Sequence, residues 1–87
     1  MHVKYENEEG EFETYKFNGL NLDTKIKLLR EKVAKKIKID VPDTVLLYNH
    51  KRLRDRRTLE SYGIGDGTTI NATTRSGLLG IGKEILI

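Results

Sequence analysis

The feature that most constrains this chain is one helical stripe standing among strand-like segments. Ile26, Leu29, Val33 and Ile37 recur at spacings of three, four and four residues. That spacing puts them on one face of an amphipathic helix from about 25 to 37. Asp23 and Thr24 precede it and are good N-cap residues, so they are expected to open the helix. A helix of this length cannot hold itself together in water and must bury its stripe against another element. The segments on either side alternate with period two instead. Val3 and Tyr5 flank Lys4, and Tyr15 and Phe17 flank Lys16. The stripe therefore has only a sheet to pack against, which leaves one helix across one face of a sheet whose other face is open.

The remaining elements fall into order around that helix. Asn7-Glu8-Glu9-Gly10 reads as a turn, with Gly10 free to take a positive φ, so the first two strands form a hairpin. Phe12 is out of phase with Tyr15 and Phe17. Either a bulge re-aims it inward or it lies on the open face, and the open face is the expectation adopted. Asp40-Val41-Pro42-Asp43 is a loop, because the residue before proline is pushed from helical geometry. Thr44 to Tyr48 is a third strand, Asn49-His50 a tight turn, and Lys51-Arg52-Leu53 a short return strand. Asp55 to Tyr62 reads as turns with a short helical piece. Thr68 to Thr74, rich in β-branched residues, is a last strand with Ile70 and Ala72 on one side and Asn71 and Thr73 on the other. Residues 76–87 carry three glycines and six large aliphatic residues in a spacing that fits neither strand nor helix. The expected organisation is one domain over 1–75 and an apolar tail or linker over 76–87.

Composition excludes several classes. Eighty-seven residues hold one domain with a modest core. No apolar run approaches the roughly 20 residues of a membrane span, and Met1 to Glu6 has no apolar core for a signal peptide. There is no cysteine, hence no disulfide and no thiolate zinc site. These features point to a cytoplasmic or nuclear monomer. The net charge of +3 is unevenly spread. Glu6, Glu8, Glu9, Glu11 and Glu13 crowd the hairpin, seven bases face a single Glu31 over 25–38, and Lys51, Arg52, Arg54, Arg56 and Arg57 form a second basic cluster. Most such flanks are simply solvated, and the functional alternatives are an acidic protein or a nucleic acid.

The segment from Leu46 to Ile64 resembles ubiquitin. Arg57-Thr58-Leu59 with Tyr62 and Ile64 is its most specific part; the triple Ile26, Leu29, Val33 and the position of Gly10 agree. The resemblance covers about residues 1–75 and implies an α+β ubiquitin-like β-grasp: a mixed sheet of four to five strands with one main helix across one face. Independently of the name, Leu53, Leu59 and Ile64 are apolar plugs in a polar loop region. Tyr62 is expected to be a further pin, its ring buried and its hydroxyl on a loop backbone group, as in the family. Conjugated members and sulfur carriers of the family end in Gly-Gly. This sequence contains no Gly-Gly, and Arg75 is followed by Ser76-Gly77-Leu78, so a non-conjugated domain is expected. The family's aliphatic patch is matched by Leu47 at its centre, with Asn71 and Thr73 at flanking apolar or histidine positions, so half of it is polar here.

No catalytic constellation stands out. Ser61 and Ser76 have no neighbouring histidine, and His2 and His50 lack ligand spacing, His50 reading as an exposed turn residue. The acidic run lacks the calcium-loop pattern. Gly63 to Gly67 lacks the Lys-Ser/Thr ending of a phosphate loop. The expectation is a non-enzymatic protein-interaction module without metal or cofactor, serving the ubiquitin–proteasome or related machinery. Its expected partner-binding residues are Leu47, Asn71, Thr73, Phe12, Lys51, Arg54 and Arg75, with Phe12 extending the apolar area beside Leu47. The alternatives are nucleic-acid binding by Arg52, Arg54, Arg56 and Arg57, and a modifier processed to an atypical C-terminus.

Overall fold

The computed structural model describes residues 1–7, 9–65 and 67–75. Among these, the strands β1 (His2–Glu6), β2 (Phe12–Lys16), β3 (Thr44–Tyr48), β4 (Lys51–Arg52) and β5 (Thr69–Thr74) form one mixed sheet, and α1 (Ile26–Ile37) lies across one face. The strand order is β2-β1-β5-β3-β4, with β1 and β5 parallel and the other pairs antiparallel. This is the expected α+β arrangement of one helix on a five-stranded mixed sheet. The tail or linker expected over 76–87 lies outside the described residues.

Period-two alternation decides which side chains meet the helix. Val3 and Tyr5 on β1 pair with Ile70 and Ala72 on β5, and Leu46 on β3 pairs with Ala72. All are buried, together with Ile26, Leu29 and Val33 from α1. The apolar plugs complete this core: Leu53, Leu59 and Ile64 are each at most 4 % exposed. Thr44 and Thr73 are buried polar residues among the described strands, and the Thr44 hydroxyl donates to the Asp40 carbonyl at 3.1 Å.

The turns follow local chemistry. Gly10 takes φ 82°, and the Asn7 side-chain oxygen accepts the Glu9 and Glu11 N–H groups at 2.9 Å each, closing the first hairpin. Asn49 and His50 both have positive φ (52° and 64°), as a two-residue hairpin link requires. Lys38 ends α1 in the left-handed conformation, its N–H on the Ala34 carbonyl.

The helix start differs from the expectation drawn from Asp23 and Thr24. Lys25 is the N-cap and offers no side-chain bond. The Thr24 hydroxyl is instead engaged with Asn21, accepting its N–H at 3.0 Å. The orphan donors of the first turn are met by a remote loop. The Ile26 N–H donates to the Arg57 carbonyl at 2.9 Å and the Lys27 N–H to the Asp55 carbonyl at 3.3 Å, while the Leu59 N–H returns to the Thr24 carbonyl at 3.0 Å. Backbone capping by a distant segment removes the need for a capping side chain.

Candidate partner-binding face

The strand registers place the expected site residues individually. Leu47 on β3 pairs with Asn71 on β5, and both lie on the sheet face opposite α1; Leu47 is half-buried and Asn71 exposed. Thr73 shares that face and pairs with Val45. Thr73 is only 9 % exposed there, and Val45 beside it is 1 % exposed. The register puts Val45 on the side away from α1, so its burial is not legible from alternation along β3.

Phe12 lies on the open face, 57 % exposed and paired with Glu6. It does not extend the apolar area beside Leu47, however. β1 and β5 stand between β2 and β3, so the two side chains are three strand spacings apart, about 14 Å. The Lys4 ammonium also sits over the Phe12 ring at 4.3 Å, a cation–π contact that puts a charge on its face. An apolar dock joining Phe12 to Leu47 is therefore absent from this arrangement.

The basic residues divide in the same way. Lys51 pairs with Tyr48, whereas Arg52 pairs with Leu47 and so shares its face. Arg54 and Arg75 are exposed. Beyond β4 the chain turns back, and Arg52, Arg54, Arg56 and Arg57 line a groove with Val45 and Arg30. Its loop is held firmly. The Tyr62 hydroxyl accepts the Arg54 N–H at 2.9 Å, as expected of the hydroxyl, while the ring is only partly buried and the Arg57 guanidinium lies over it at 4.6 Å. The Arg57 N–H closes a turn on the Arg54 carbonyl at 3.1 Å. Arg30, reaching from α1, donates to Asp55 at 2.7 Å. Twenty-five residues separate that pair, so no local pattern announced it.

A sequence model of the ubiquitin family matches residues 2–77. The chain belongs to the ubiquitin family. Among similar relatives, human Ubiquitin D is 37 % identical over 75 residues, covering 86 % of this chain and 42 % of that protein. Mouse Ubiquitin D is 39 % identical over 51 residues, covering 59 % of this chain and 32 % of that protein. The chain thus spans less than half the length of the curated relatives it matches. Ubiquitin-like domains generally bind proteins, and the fold is generally non-enzymatic. Among the described residues no cluster of three or more histidines and carboxylates could hold a metal ion, and no helix is long and apolar enough to cross a membrane.

Proposed function

We propose that this domain is a non-catalytic adaptor module that docks onto components of the ubiquitin–proteasome machinery through its open sheet face and the basic residues beside it. One observation carries the reading. Leu47 is a half-exposed aliphatic residue on the open face, aligned between Asn71 on one side and Arg52 on the other. A central apolar contact with a polar and charged rim is the usual anatomy of a protein-binding surface. The similarity to Ubiquitin D supports it at the level of the family. A cytoplasmic or nuclear setting belongs to the same proposal.

The test is affinity capture with the immobilised chain, reading proteasome subunits and ubiquitin-pathway enzymes by mass spectrometry. Capture is expected to fall with Leu47→Ala and, separately, with Arg54→Glu, in variants whose circular dichroism matches the parent. Capture that persists unchanged through both substitutions removes this face from consideration.

A further inference from the structure

We infer that the groove beside β4 receives a short carboxylate-rich segment of a partner protein, an inference that rests on the protein-interaction reading above. The first argument is charge balance. Lys51, Arg52, Arg54, Arg56 and Arg57 converge on this edge of the sheet, and the acidic residue lining the groove is Asp55. Asp55 is already held by Arg30 at 2.7 Å, which is the ion pair found among the described residues. Among the described residues, the five bases are therefore left without a carboxylate partner.

The second argument is the type of base. Four of the five are arginines, whose planar fork matches a carboxylate with two parallel hydrogen bonds, where lysine offers only a point charge. The third is preorganisation. The Tyr62 ring orients Arg57, the Tyr62 hydroxyl fixes the backbone of Arg54, and the Asp55 and Arg57 carbonyls are tied to the start of α1. A loop already ordered loses little further freedom when a ligand arrives. Leu47, half-buried and paired with Arg52, supplies the aliphatic contact that a purely electrostatic site would lack.

Two observations favour a peptide over a nucleic acid. Base stacking needs a free aromatic face, but Tyr62 has one face under Arg57 and its hydroxyl bound, and Tyr48, paired with Lys51, is partly buried against the core. The strand order also puts the glutamate-bearing hairpin of β1 and β2 at the opposite edge of the sheet. A long polyanion that runs from this groove across the sheet therefore meets negative charge at the far edge, whereas a segment of a few carboxylates does not.

The experiment uses the full chain and three fluorescent probes in an anisotropy titration at low and raised salt. They are a nonapeptide of eight glutamates with a central leucine, the same peptide with glutamine for glutamate, and an oligouridylate. The glutamate peptide is expected to bind, with the glutamine version at least about tenfold weaker, and Arg54→Glu combined with Arg56→Glu is expected to lose at least about tenfold in affinity. Backbone amide shifts over 51–57 should move on titration. Arg52→Gln with Arg56→Gln, which neutralises rather than reverses charge, should give an intermediate loss in a folded protein. Oligouridylate binding as tight as the glutamate peptide overturns the inference in favour of nucleic acid. Absence of glutamate-peptide binding, with Leu47-dependent capture of pathway proteins intact, overturns the inference and leaves the adaptor reading standing. Loss of both overturns the two together.

Discussion

Replacing Asp55 by alanine isolates the contribution of the ion pair that spans the groove. Arg30 and Asp55 meet at 2.7 Å, with side chains 20 % and 36 % exposed. The Arg30 Nε is buried without a partner, and the other Arg30 contact, to the Thr44 carbonyl, is at 3.5 Å, the limit of a useful hydrogen bond. Asp55 is therefore the main compensation for a largely buried cation. Exposed ion pairs contribute about 0–1 kcal/mol, whereas removing one partner of a fully buried pair costs about 3–5 kcal/mol. The intermediate exposure here places Asp55→Ala at about 1–2 kcal/mol, each kcal/mol lowering Tm by about 4–8 °C in a domain of this size. The reciprocal change differs in kind. Arg30→Met keeps an apolar stem of similar length and leaves a carboxylate that water reaches more readily, so it should cost less than about 1 kcal/mol. Urea unfolding followed by circular dichroism, with equal m-values required of all variants, measures both. If Arg30→Met is as destabilising as Asp55→Ala, the asymmetry argued from burial is wrong.

Two further substitutions probe other parts of the molecule. Leu29→Ala removes a fully buried side chain from the helix–sheet interface and should cost about 2–5 kcal/mol by the same unfolding measurement, and a loss below about 1 kcal/mol would contradict its place in the core. The Tyr15 phenol is held above its ordinary value, first by the hydrogen bond it donates to Glu13 and then by burial and the Glu13 charge. Its contribution to stability is therefore present below the ordinary phenol pKa of about 10 and fades as pH rises through the folded value. Glu13→Gln should move the Tyr15 phenolate titration downward by ultraviolet difference absorbance, and an unmoved titration would refute the assigned cause.

Legibility in the sequence tracked the range of the interactions involved. The helix stripe, the alternating strands and the two tight turns are set by neighbours within a few residues, and they were readable. So were Leu53, Leu59 and Ile64, because isolated aliphatic residues in a polar stretch have few fates besides burial. The candidate site was less legible because it depends on strand order. Nothing local says that two strands separate Phe12 from Leu47, or that Arg52 rather than Lys51 aligns with Leu47. The helix start failed for a related reason. Good capping residues were present at Asp23 and Thr24, but carbonyls of Asp55 and Arg57 took the role instead. Arg30 with Asp55 belongs to the same class, a pairing created by the tertiary fold and invisible to any short window.

The parallel pairing of β1 with β5 joins the first strand to the last at the middle of the sheet. For a chain emerging from a ribosome, this sets an order of events. The hairpin and the helix can be sampled early, since their contacts are close in sequence. The central ladder cannot close until residues near 74 have left the exit tunnel, because Val3 waits for Ile70 and Tyr5 for Ala72. Long-range pairing of this kind slows folding and concentrates cooperativity in one late step. Until that step, the inner flank of β1 stays unpaired, an open edge at which a nascent chain is most exposed to wrong partners and to chaperones.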